Sequence, residues 1–326
     1  MEKIKKIIKG IFLYFGLSLV SEREYKELKS QRNMAIRAMS RNPLSIKLLP
    51  GISSIVFSKD RAMQLHLTLE SLNNAIDIRI IVFVLYRATS KEDIDSYREL
   101  IQLSDYKNLD ICFIQEIGDF KDELLKIIEQ IKTDKLFFLT DDNVFIRKWK
   151  ASEISNINAY KNILSLRHGL NITYSYHLRR NISKPDITPV KDIYGLHQFN
   201  WFDGSGEWSD PMSVDGHLYP TEGIYNISLV SNFKAPNTYE AALKTYFDVF
   251  TQMGTCYPSS VIVNLPINLV QSEVKNKSGD ISSKYLLRKW QKGFKIDLAQ
   301  FENMDVTSTH EEFQLSFVQR NDDIGN

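Results

Sequence analysis

The 326-residue chain is predicted to be an α/β protein. A mostly parallel sheet with flanking helices follows an N-terminal helical segment. Three observations predict this. Short apolar runs alternate with amphipathic segments from residue 52 to residue 143. One of those runs, 136–139, ends in the acid pair Asp141-Asp142. After Trp149 the alternation stops, and aromatic and polar sequence takes over.

The elements follow in order. Residues 54–58 are β-branched and aromatic, and read as the first strand. Met63, Leu65, Leu67, Leu69 and Leu72 then ride on a helix ending near Asn73-Asn74. Residues 78–86 are apolar for long enough to form a central strand. Ile94, Tyr97, Leu100 and Ile101 recur at helical spacing within 92–103. Residues 110–114 read as a third strand. Leu124, Leu125, Ile127, Ile128 and Ile131 mark a helix over 119–131. Leu136, Phe137, Phe138 and Leu139 then read as a strand buried on both faces. Strands alternating with helices argue for parallel pairing through crossover helices. No GxGxxG or GxxxxGK[ST] occurs, which argues against a dinucleotide fingerprint or a P-loop.

Composition bounds the function. Lys plus Arg total 41 against 40 Asp plus Glu, so no global charge favours nucleic acid. Cys112 and Cys256 are too few and too far apart for a disulfide framework or a cysteine zinc site. Cys112 sits in an apolar run and is expected to be a buried thiol. This usage suits a reducing, cytoplasmic compartment. Residues 1–9 carry Lys3, Lys5, Lys6 and Lys9, and residues 11–20 are apolar but too short to span a bilayer. That segment reads equally as a membrane-surface element on the inner face of the membrane and as a helix packed on a protein body. The expected organisation is an N-terminal segment at 1–50, then two halves of one domain at 51–150 and 151–326.

Asp141 and Asp142 fall where open α/β sheets bind ligands, at the carboxyl end of a strand. Adjacent carboxylates in a cleft repel each other. A hard divalent cation, Mn2+ or Mg2+, relieves that repulsion. The alternative is a solvated acidic turn.

With this layout the chain resembles the GT-A glycosyltransferases, especially the family-2-like sugar transferases of bacterial surface polysaccharide synthesis. The resemblance rests on residues 52–150. The stretch Ser54-Ile55-Val56-Phe57-Ser58-Lys59-Asp60-Arg61 matches the loop that meets the nucleotide in that family. Thr140-Asp141-Asp142 matches the DxD metal motif, with Thr in place of the first acid. The resemblance implies that Ser58, Lys59, Asp60, Arg61 and Asp141 contact a nucleotide-sugar donor. It implies that Asp142, Asp141 and a late histidine, His310, hold the metal.

Residues 194–217 combine Trp201, Asp203, Gly204, Gly206, Glu207, Trp208, Asp210, Asp215 and His217. Rings beside carboxylates suit sugars, because a ring face stacks on C–H groups while an acid accepts from hydroxyls. Trp208 is the candidate stacking residue. The alternative is an irregular loop whose rings fill a local core. Asp215, in Ser213-Val214-Asp215-Gly216-His217, is expected in a strand or tight hairpin and is the first candidate for general base. Glu240 is the second. It also lies three residues after Asn237, a capping-box spacing. Residues 283–293 are basic around Trp290, a diphosphate contact or a solvated face.

These expectations describe a metal-dependent transfer of a sugar from a nucleotide-sugar to a glycan or lipid-linked acceptor. The alternatives are a nucleotidyltransferase acting on a sugar phosphate and a carbohydrate-binding module without turnover.

Overall fold

A computed structural model describes residues 21–39, 47–154, 157–191, 195–249, 253–268 and 281–320. The lysine-rich segment at 1–20 and the stretch Asn276-Lys277-Ser278-Gly279, whose residue types predict a turn, lie outside the described residues. The chain opens with α1 (Glu22–Met39), and then the alternation begins: β1 (Leu49–Lys59), α2 (Ala62–Ala75), β2 (Ile80–Arg87), α3 (Lys91–Leu103), β3 (Leu109–Gln115), α4 (Phe120–Gln130) and β4 (Thr133–Thr140). Local chemistry sets the helix starts. Ser90 caps α3 by accepting from the Asp93 amide, and Asp119 caps α4 by accepting from Lys121 and Asp122. β1 and β4 are central, and Ile55, Val56, Leu136, Phe137, Phe138 and Leu139 are wholly buried.

The second half supplies short elements. They are β5 (Asn143–Phe145), β6 (Ile163–Gly169), β7 (Tyr174–Ser175), β8 (Arg180–Asn181), β9 (Thr188–Pro189), β10 (His197–Asn200), β11 (His217–Pro220), α5 (Thr221–Val230), α6 (Pro236–Lys244), β12 (Met253–Tyr257), β13 (Ile262–Asn264), α7 (Ser283–Gln291), β14 (Phe294–Ile296) and β15 (Phe317–Gln319). Among the described residues, one nine-stranded sheet has the order β3-β2-β1-β4-β11-β6-β12-β10-β9. Strands β3 to β4 in that order are parallel, as the alternation requires. The fold class is therefore the expected α/β type, and the sheet runs through both halves of the chain.

β11 decides where the site lies. It pairs antiparallel with β4, Leu218 opposite Phe137, and antiparallel with β6 on its other side. Its start therefore lies beside the carboxyl end of β4, and the carboxyl end of β6 lies there too. Gly216 makes the entry turn at φ +68, donating its amide to Phe138 and accepting from Leu166. A Cβ there would meet Ile262 Cδ1 at 2.3 Å, so glycine is required on both conformational and steric grounds. A second, two-stranded sheet pairs β13 with β5, setting Asn264 opposite Asn143.

Three expectations change. The strand or tight hairpin expected around Val214 is a turn at Gly216 that leads into a strand beginning at His217, inside the sheet. Residues 259–270, an apolar run interrupted by Asn264 and Pro266 that predicts an edge strand, yield β13 among the described residues, and it pairs with β5 outside the main sheet. Cys112 is exposed, because β3 is the edge strand and its outer face is open.

Candidate functional site

Three carboxylates stand in a row at the sheet's carboxyl edge, joined by two hydroxyls. Thr140 Oγ1 lies 2.6 Å from Asp142 Oδ1 and 2.8 Å from Asp215 Oδ1. Ser213 Oγ lies 3.4 Å from Asp215 Oδ2 and 2.8 Å from Glu240 Oε1. The order is Asp142, Thr140, Asp215, Ser213, Glu240. The β4–β11 pairing supplies the first contact, and the packing of α6 against the 213–214 turn supplies the second.

Cations flank the row, Arg167 buried among them. Arg167, on β6, reaches Asp215 at 3.3 Å and Asp210 at 3.5 Å. Lys244 reaches Asp210 at 3.0 Å and Glu240 at 3.4 Å. Arg61 lies 2.8 Å from Asp141 and 4.0 Å from Asp142. When all are ionised, three cations face five carboxylates in this network. Two negative charges are left over, the charge of one divalent cation.

The environments push the three acids apart. Burial, only partly opposed by Arg61 and reinforced by Asp215 and Asp141, pushes Asp142 up to about 7. Burial acts on Asp215 in the same sense, but Arg167 and hydrogen bonds from Thr140 and Asn264 outweigh it and hold this acid below its usual range. Burial raises Glu240, with Asp210 and Asp215 adding to it against Lys244. His310 joins the cluster through a bridge between Asn264 and His310. Burial, Arg167 and His177 push its imidazole down to about 3, so it is neutral and able to ligate.

Asp141 faces the other way, and this corrects its expected role as a metal ligand. One oxygen accepts from Arg61 Nη1 at 2.8 Å. The other accepts from Ser58 Oγ at 2.8 Å and the Lys59 amide at 3.1 Å. It anchors the β1–α2 turn. Ser58 is also corrected: its buried hydroxyl is spent on Asp141 and Tyr97. Asp60, at φ 54, turns its carboxylate onto the Thr89 amide and hydroxyl at 2.7 and 2.8 Å. Arg61 bonds Asn268 through Nε at 2.9 Å and through Nη2 to the carbonyl. Lys59 takes part in the turn through its amide.

Trp208 is corrected as well. It is fully buried, donates to the Ile172 carbonyl at 3.1 Å, and packs on His168 and Phe199. Trp201 is buried beside it against Phe199 and His168. These rings fill a local core and present no face to a sugar. Glu240 does not cap α6. The helix begins at Pro236, and Thr238 Oγ1 accepts the Ala235 amide at 3.0 Å. That releases Glu240 from the structural job its spacing suggested.

Sequence reading missed the roles of Arg167, Asn264 and Thr140. Arg167 sits inside a β-type run with no local sign of a partner. Asn264 donates toward Asp142 at 3.5 Å and pairs with Asn143. Each depends on strand neighbours far away in the chain. The donor set suits Mg2+ or Mn2+, which bind through one or two carboxylates and take other oxygens from phosphates and water. Among the described residues, no group of three or more His, Cys, Asp or Glu side chains is gathered tightly enough to cage a metal alone. A shallow depression, with room for about one water, lies beside the turn, lined by Arg61, Met63, Gln64, Ser283, Leu286 and Trp290 among others.

No family model matches the chain, and no curated protein matches it. Solved structures similar to it include residues 1–349 of S. aureus TarS, at 11% identity and TM-score 0.40, over 65% of this chain and 59% of that one. Another is a 4-diphosphocytidyl-2C-methyl-D-erythritol synthase from Anaerococcus prevotii, at 16% identity and TM-score 0.36, over 69% and 92%. A third is the mannosyltransferase PcManGT from Pyrobaculum calidifontis in complex with GDP-Man and Mn2+, at 11% identity and TM-score 0.29, over 42% of each chain. The chain thus spans about three fifths of the TarS structure.

Proposed function

We propose that this chain is a metal-dependent glycosyltransferase that takes a sugar from a nucleotide-sugar donor and passes it to a glycan or lipid-linked hydroxyl. The observation that carries the reading is the row Asp142–Thr140–Asp215–Ser213–Glu240, with its excess of negative charge at the carboxyl edge of the sheet. Asp142 and Asp215 would hold Mn2+ or Mg2+, with diphosphate oxygens and water filling the remaining positions. When bound, the ion would neutralise a diphosphate and the charge developing on it as the glycosidic bond breaks. Arg61, in the turn after β1, would meet the nucleotide.

Glu240 takes the part of general base. Burial raises its proton affinity, so as a carboxylate it is a better acceptor for an acceptor-hydroxyl proton. Asp215 is less suited, because Arg167 favours its ionised form. Pairs of acids whose surroundings push them apart divide acid–base labour in this way. Ser213 donates to Glu240 and orients it.

Among the described residues no helix is long and apolar enough to cross a membrane. We place the protein in the cytoplasm, with its lysine-rich segment at the membrane surface. Vesicle sedimentation with and without residues 1–20 checks that placement. The main test is a panel of UDP-, GDP-, dTDP- and CMP-sugars, read by thermal shift and by nucleotide release with and without Mn2+. One donor is expected to raise the melting temperature and release nucleoside diphosphate only when the metal is present. No stabilisation by any of them, or release of pyrophosphate from a nucleoside triphosphate and sugar phosphate instead, overturns the reading.

A further inference from the structure

Thr140 occupies the position where the family motif would place an acid. Thr140 and Asp142 face β11 and β13, whereas Asp141 faces β1. The Thr140 hydroxyl has one hydrogen and three acceptor oxygens around it. They are Asp142 Oδ1 at 2.6 Å, Asp215 Oδ1 at 2.8 Å and Asn143 Oδ1 at 3.3 Å. It can donate to one of them at a time. Asn264 bridges the same two carboxylates, donating toward Asp142 at 3.5 Å and to Asp215. Its amide is held by Asn143, whose own oxygen accepts the Thr140 backbone amide at 2.8 Å. A carboxylate at position 140 would add a third acid between Asp142 and Asp215 and a fourth acceptor beside Asn143. A hydroxyl keeps the two acids close without that repulsion.

We propose that Thr140 is a positioning residue. Its hydroxyl, together with Asn264, holds Asp142 and Asp215 at the separation at which both reach one divalent cation. This rests on the metal-dependent reading above and adds to it the groups that set the cation's affinity. Thr140 donates no ligand of its own. Groups of this kind, which hold a ligand without touching the metal, typically set affinity over a range of about 10–100-fold.

The test uses full-length protein and Mn2+ alone, with binding read from the free-ion paramagnetic signal. Thr140→Val keeps the shape and removes the hydroxyl. It should weaken Mn2+ binding by about 10–100-fold while the melting temperature in EDTA stays near wild type. Thr140→Ser, which restores the hydroxyl, should bind close to wild type. With saturating Mn2+ the Val variant should recover turnover, so the loss lies in the metal requirement and not in kcat. If Thr140→Val binds Mn2+ as wild type does, or Thr140→Ser fails to rescue, the proposal is wrong and the metal reading stands. If wild type binds no Mn2+, both fall together. Should Thr140→Val fail to fold, Asn264→Ala carries the same demand, and unchanged affinity there overturns the proposal.

Discussion

Two buried arginines stand on opposite sides of Thr140, and their surroundings differ. Arg61, in the regular half, meets Asp141 at 2.8 Å and fixes Asn268. Asp141 has two further donors, Ser58 and the Lys59 amide. Charge there is balanced and every carboxylate oxygen is occupied. Arg167, in the irregular half, has Lys244 as its fellow cation against Asp210, Asp215 and Glu240. Charge there is unbalanced, and the surplus lies in the row of acids. The first pair fastens a turn, while the second holds a row of acids together. Adjacent residues Asp141 and Asp142 belong to different sides, so an acid pair in a sequence is not one functional unit.

Removing the arginines tests the contrast most strongly. Arg167→Met leaves Asp210, Asp215 and Glu240 with Lys244 alone, and uncompensated buried charge typically costs about 3–5 kcal/mol. Arg61→Met should cost less, because Asp141 keeps two donors. Urea unfolding of both variants measures this, and equal losses would erase the distinction. The next effect depends on pH. Asp142 is raised from 3.8 to about 7 in the folded protein. Its folded state therefore holds the proton more tightly than the unfolded chain. The stabilising contribution is complete below about 4 and is lost as pH rises to about 7. In EDTA, Asp142→Asn should accordingly match or exceed wild-type stability above pH 7. A difference of about three units, at about 1.4 kcal/mol each, bounds the gain near 4 kcal/mol. A variant that melts lower than wild type at pH 8 would contradict the assignment. The smallest effect is Glu240→Gln. Turnover should fall about 100-fold, equivalent to about 2.7 kcal/mol, with donor affinity unchanged. If Asp215→Asn loses turnover and Glu240→Gln does not, the base is Asp215.

The regular half was legible because its signal is local. Apolar runs and helical spacing placed β1 to β4 and α2 to α4 within a few residues, and the acid pair after Leu139 marked the carboxyl edge. The irregular half was not legible because its meaning lies in pairings. Trp208 reads like a sugar platform until β6 and β10 close around it through His168 and Phe199. Glu240 reads like a cap until Thr238 takes that task. Arg167 gains its role from Asp215, and that contact exists only because β11 runs against β4. Cys112 was misread because a run of apolar residues does not announce which strand will lie at the sheet's edge.

The pairing of β11 with β4 also bears on the order of events in folding. Thr140 meets Asp215 across 75 residues of chain, and Asn143 meets Asn264 across 121. Such contacts carry a loop-closure cost and form after the local βα units. The acids are therefore scattered along the chain until late in folding, and the denatured ensemble presents no cluster to a cation. An ion bound by that cluster recognises only the finished fold. It would slow unfolding while leaving the folding rate nearly untouched.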